Sequence, residues 1–144
     1  MPGGEANILD IYPLGPLQKG IHFHHVMSQG SDPYVFPNLL KLDSAAKLET
    51  LLEGLQFMID RHDALRTMVI SDGLSQAVQV VCKKATLPVQ WLNDQLLNGQ
   101  TLLTAMQALC EPNKQWMDIN SAPLLRVQIA KDTTSDEHLS LIHI

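Results

Sequence analysis

Three histidines, His22, His24 and His25, fall within four residues of one another, and imidazole nitrogens at short spacing are ligands for zinc or copper. On a helix, however, residues 24 and 25 point about 100° apart and residue 22 lies nearer residue 25, so no more than two share a face. With no carboxylate in support, the pattern argues against a metal site. It predicts instead that His24 or His25 packs under a sheet with a bonded ring nitrogen. A second cluster, Arg61-His62-Asp63-Ala64-Leu65-Arg66, gathers two guanidiniums, an imidazole and a carboxylate. From the residues alone, Arg66 and Arg61 read as ordinary surface charges, as most arginines are. His62 continues an apolar stripe, which predicts a buried, hydrogen-bonded histidine rather than a base. Asp63 beside it is placed to cap or orient. His143 is the candidate base nearest a strand end. Cys82 and Cys110 lack CxxC or CxxH spacing and read as small buried hydrophobes. Trp91, Trp116 and the six methionines define no stacking platform and read as packing residues. Nucleotide, hydrolase and zinc-protease motifs are absent.

The elements that must position these residues come from a chain of 144 residues with 45% hydrophobic and 17% charged residues, enough for one core. Ten Lys and Arg against fifteen Asp and Glu give a net charge of -5, which disfavours nucleic acid as a partner. No apolar run reaches bilayer length, and the first residues lack a signal peptide's basic start and apolar centre. The expected setting is cytoplasmic, without a membrane.

Residues 1–7 read as a linker. Pro16 opens a helix to about Gln29 with an apolar face of Leu17, Ile21, His24 or His25, and Val26. Tyr34–Asp43 reads as a strand in which Pro37 marks an edge or bulge. Asp43 or Ser44 caps a helix with an apolar stripe at Leu48, Leu52, Leu55, Ile59 and His62, widened by Leu51, Met58 and Leu65. Arg66–Ile70 and Gln76–Cys82 read as a hairpin, Pro88–Leu92 as a short strand, and residues 93 to 110 as a second amphipathic helix ended by Pro112. Pro123–Ala130 and His138–Ile144 close the chain as strands. This order predicts an α/β, or α+β, fold with helices packed on a mixed sheet.

Four segments in register resemble the condensation domains of nonribosomal peptide synthetases. Asp10-Ile-Tyr-Pro-Leu-Gly-Pro-Leu-Gln-Lys-Gly-Ile-His-Phe-His-His25 is similar to their first motif, followed by Asp32-Pro-Tyr34. Arg61-His-Asp-Ala-Leu-Arg-Thr67 resembles their second, RHxxLRT. Met117-Asp-Ile-Asn-Ser-Ala-Pro-Leu-Leu-Arg126 resembles the segment before a central strand. The resemblance runs from Ile8 to Leu139 and makes residues 8–144 the N-terminal part of such a domain. It implies an incomplete chloramphenicol acetyltransferase-like lobe, one of two that enclose a tunnel. It further implies that donor and acceptor arrive as thioesters on the phosphopantetheine arms of carrier domains and that an amide forms. The resemblance implies no directly bound cofactor, and carrier and neighbouring synthetase domains as partners. In the family an HHxxxDG loop follows the strand that closes this chain. Its second His orients or deprotonates the amine, and its Asp pairs with an arginine of the RHxxLRT segment, here Arg66 first and Arg61 second. The YPLxPLQxG form of the first motif is more like domains that take a D-configured or peptidyl donor.

The chain departs from that pattern at Leu141-Ile-His-Ile144, which holds one His and no Asp. No catalytic residue is therefore assigned, and the 144 residues are expected to be inactive alone. They are also expected to leave apolar surface bare, with marginal stability or self-association. Leu139-Ser-Leu-Ile-His-Ile144 is what CTG-TCT-CTT-ATA-CAC-ATC encodes, a string similar to the transposon end used in sequencing libraries, so these six residues read as translated adapter with native sequence diverging at about His138. Two other functions fit the same chain: a small non-enzymatic module that binds a carrier or partner, and an acetyltransferase-like enzyme relying on His143.

Overall fold

The computed structural model describes residues 4–28, 30–92, 101–111, 114–132 and 137–144. Along the chain run β1 (Ile8–Pro13), α1 (Pro16–Met27), β2 (Pro37–Leu42), α2 (Ala45–Arg61), β3 (Thr67–Ile70), β4 (Val78–Cys82), β5 (Val89–Trp91), α3 (Leu102–Ala108), β6 (Arg126–Lys131) and β7 (His138–His143). The layered α/β architecture matches the expectation, with the strands divided between two sheets. One is antiparallel in the order β1-β4-β3. The other runs β2-β7-β6-β5 and is mixed, because β5 lies parallel to β6.

Ser44 starts α2 because its hydroxyl accepts the Lys47 N–H at 3.4 Å, satisfying a donor that the first turn leaves free. One stripe of the helix then enters the main core. Leu48 and Ile59 are buried with Leu125, Val127, Ile129 and Ile142, and Leu52, Leu55 and Leu65 pack around them. Val127 and Ile129 alternate along β6 with residues of the opposite face, as strand geometry requires. That other face buries Ala130, Leu139 and Leu141 against Met106 of α3. The four-stranded sheet is thus covered on both sides. The strands β3 and β4 form the expected hairpin, turning at Gly73 with φ +74°, a conformation that glycine adopts without strain. Pro37 opens β2, an edge strand, where its missing N–H costs no ladder bond.

Several expectations need correction. His62 is exposed, because α2 ends at Arg61 and His62 is its extended C-cap residue with φ -114°. Leu17, Phe23, Val26 and Met27 are 61–77% exposed, so of the anticipated α1 face only His25 is buried. Trp91, Trp116 and Met58, the last expected to widen the α2 stripe, keep 55%, 41% and 43% of their surface exposed, whereas Met68, Met106 and Met117 are interior. The second amphipathic helix is described only as α3, since residues 93–100 and Pro112 lie outside the described residues.

Candidate functional site

The second-motif cluster sits where α2 gives way to β3 through a short turn of 3-10 helix, Asp63–Arg66. A helix leaves its last carbonyls without partners. Arg66 fills that gap from below. Its Nη1 donates to the carbonyls of Ile59 at 2.8 Å and Asp60 at 2.5 Å, its Nε donates to the Cys82 carbonyl at 3.0 Å, and its Nη2 pairs with the Asp63 carboxylate. Arg66 is 6% exposed. Its charge lies at the negative end of the α2 dipole, which adds to the attraction. With these bonds made, a single N–H on Nη2 remains, so the side chain has no fork to offer a second carboxylate without giving up Asp63. Arg61 differs on every count. Its side chain is exposed and makes no hydrogen bond or ion pair with any other described residue.

The first-motif helix carries a second polar node. Pro16 occupies the first turn of α1, and the Gln18 carboxamide accepts the Gly15 N–H at 2.8 Å. At the other end of the helix His25 is buried, and its Nδ1 lies 2.6 Å from Oδ2 of Asp32, itself 3% exposed. A carboxylate has no proton to give, so Nδ1 carries the hydrogen of this bond. Oδ1 of Asp32 accepts the Tyr34 N–H at 2.8 Å, and the Asp32 N–H donates to the Gln115 carbonyl at 2.5 Å. Trp116 stacks on the His25 ring, centroids 5.7 Å apart and planes 23° from parallel. Of the two histidines left open by the sequence, His25 is the interior one, and it packs against a loop and an indole rather than under a sheet. His22 and His24 remain on the outer part of α1, and among the described residues no three His, Cys, Asp or Glu side chains converge.

His143 closes β7 opposite Pro37 and Arg126 and is 1% exposed. Among the described residues its Nδ1 has no hydrogen-bond partner, and neither does Nε of Arg126. Burial and the nearby Arg126 charge depress its pKa to about 4. An imidazole held neutral this way is a poor proton acceptor near neutral pH. Burial raises the thiol pKa of both Cys82 and Cys110, which keeps them protonated and unreactive. A cavity of about 690 Å³ opens at the end of β4. Its lining includes Lys83 and Lys84 but no imidazole or carboxylate. One wall is built by Asn7, whose amide clips both the carbonyl and the N–H of Lys84 at 3.0 Å.

No described hydrogen bond joins the Arg61–Arg66 turn, the His25 node and His143. The family of the chain follows from its overall likeness. The family model for the condensation domain matches residues 8–144. The chain belongs to the condensation-domain family. It is 40% identical to malpinin synthetase and 39% identical to malpibaldin synthetase, both of Mortierella alpina, in each case over 132 residues. Those matches cover 92% of this chain and 2% of each synthetase. The fold is similar to that of a four-domain nonribosomal peptide synthetase bound to AMP and glycine, with a TM-score of 0.77, 14% identity, and coverage of 95% of this chain and 10% of that one. It also resembles the starter condensation domain of rhizomide synthetase, with a TM-score of 0.65, 18% identity, and coverage of 93% and 33%. Among the described residues, no helix is long and apolar enough to cross a membrane.

Sequence reasoning missed Asp32 as the partner of His25. The available signal was the turn Gly30-Ser31, which folds the chain back over the end of α1 and returns a carboxylate to the ring.

Proposed function

We propose that these residues act as the N-terminal part of a condensation domain within a longer cytoplasmic nonribosomal peptide synthetase. The domain joins an acyl or peptidyl donor to an acceptor amine, both tethered as thioesters on carrier-domain phosphopantetheine. The acceptor nitrogen attacks the donor carbonyl, the C–N bond forms, the C–S bond breaks, and the carrier thiol leaves with the proton released by the amine. The observation that carries this reading is the match of the condensation model across residues 8–144. The 144 residues hold no HHxxxDG sequence, so by themselves they supply no positioned imidazole for the amine.

Within this reading the two motif arginines divide the work. Arg66 is spent on closing α2, as its carbonyl partners indicate. Arg61, exposed and unengaged among the described residues, is the guanidinium left to grip the aspartate of the loop that carries the base. The test is amide formation by the full-length synthetase from labelled donor and acceptor thioesters. Wild type is expected to transfer the donor acyl group, and Arg61→Ala to lower that rate by about a hundredfold through misplacement of the base. No transfer by wild type would overturn the function, and full activity of Arg61→Ala would overturn the role of Arg61.

A further inference from the structure

A cleft of about 360 Å³ lies between α1 and the turn that joins β3 to β4. Its floor is Leu14, a buried residue. One wall carries Lys19 and His22, which are three residues apart on α1 and therefore neighbours on one side of the helix. The other wall is the turn, which contributes Ser71, Ser75 and Gln76. No carboxylate is among the described lining residues, and Asp72 of the same turn is not one of them.

The chain has fifteen acidic residues against ten basic ones, and Lys41, Lys47 and Lys114 are each paired with a carboxylate at 2.6–3.0 Å. Lys19 is not. Its ammonium makes no hydrogen bond or ion pair with any other described residue, and neither do the His22 ring, the Ser71 and Ser75 hydroxyls or the Gln76 carboxamide. All of these groups can donate. An ammonium only donates, either tautomer of a neutral imidazole offers an N–H, and hydroxyls and carboxamides turn a hydrogen toward an acceptor. Donors on two facing walls, with a positive charge on one of them, suit an anion whose oxygens point in several directions. A carboxylate offers its oxygens in one plane, whereas a phosphate group offers them tetrahedrally, toward both walls.

The walls are held in place without a ligand. Beside Lys19, the Gln18 carboxamide donates to that of Gln79 on β4 at 3.2 Å, and Gln79 in turn donates to the Pro13 carbonyl at 3.3 Å. Those bonds tie α1 to the hairpin. The turn itself is closed by the Leu74 N–H, which donates to the Ser71 carbonyl at 3.1 Å, and by Gly73 with its positive φ. Binding therefore costs little ordering of the backbone.

We propose that the cleft between α1 and the β3–β4 turn is a binding site for a phosphate group, held by the Lys19 charge, the His22 N–H and the hydroxyls of Ser71 and Ser75. It shares no residue with the Arg61–Arg66 turn and does not depend on the condensation reading.

The experiment is hydrogen exchange on the full-length synthetase carrying this segment, read by mass spectrometry on peptides spanning 14–22 and 71–77. Inorganic phosphate is the probe, and chloride at matched ionic strength is the blank. At about ten times its dissociation constant, phosphate is expected to slow exchange in both segments by about tenfold, while chloride leaves them unchanged. Lys19→Glu, a change at an exposed position, is expected to abolish the slowing, as is His22→Ala, and Lys19→Arg to keep it. Diethyl phosphate is the second probe. Slowing by inorganic phosphate alone identifies a dianionic group, free or as a monoester, and equal slowing by both identifies a diester; either result supports the site. No slowing in wild type, equal slowing by chloride, or slowing that survives in both Lys19→Glu and His22→Ala overturns it.

Discussion

The two long helices carry similar promise in sequence and meet different fates. Each presents apolar residues on one face. In α2 that face is spent: Leu48 and Ile59 are interior, and the neighbouring leucines close around them. In α1 it is bare, with Leu17 at 77% and Met27 at 65% exposure, and the helix is tied to its surroundings by polar contacts, His25 with Asp32 and Gln18 with Gln79 at 3.2 Å. The difference teaches that amphipathic spacing states what a helix is able to bury and says nothing of what is there to bury it against. The core of these residues is built on α2 and the four-stranded sheet.

The comparison is broken most directly by truncating one side chain on each helix. Ile59→Ala, at a position with no exposure, is expected to lower unfolding free energy by about 4 kcal/mol through lost burial and a residual cavity. Leu17→Ala is expected to change it by less than about 0.5 kcal/mol. Urea denaturation of the two variants checks both, and equal losses would erase the distinction between the helices.

Slightly smaller is the effect at the end of α2. Arg66→Ala strips the donors from three carbonyls, those of Ile59, Asp60 and Cys82, at a cost of about 3 kcal/mol. Arg66→Lys, with a point charge in place of the fork, is expected to recover less than half of that. Thermal unfolding measures the series, and near-neutral Arg66→Ala would mean that the guanidinium closes nothing.

A pH-linked effect sharpens the contrast at the sheet side. The pKa of His143 is about 4 in the fold, against an ordinary value of 6.5. Between those limits the unfolded chain binds more protons than the folded one, so stability falls as pH drops from about 6.5 to about 4 and the slope then ends. His143→Leu is expected to flatten that part of the profile in denaturation curves collected across the range. An unaltered slope would place the titration elsewhere.

Much of this was legible beforehand. The leucine stripe of α2, its Ser44 cap and the hairpin of β3 and β4 follow from period and turn chemistry, which are local. The end of α2 was misjudged by one residue, and that was enough to move His62 from interior to solvent. Without a carboxylate from the HHxxxDG loop, Arg66 is expected from the sequence to be solvated or bonded to backbone carbonyls, and it bonds those of Ile59, Asp60 and Cys82. Which carbonyls these are was not legible, because backbone acceptors leave no mark in a sequence. His25 was one of two alternatives until Asp32 settled it from seven residues away, across a turn whose direction no periodicity encodes. The half-exposed tryptophans show the same limit: an aromatic residue promises burial, yet Trp116 spends one ring face on His25 and leaves much of the other open.

The decisive measurement is an amide-formation assay on the purified 144-residue chain, offered donor and acceptor aminoacyl groups on carrier-domain thioesters alongside the full-length synthetase. The expected result is product from the synthetase and none above the uncatalysed background from the 144 residues. Turnover by the 144 residues alone would contradict the view that they hold the bracing half of a condensation site without its base.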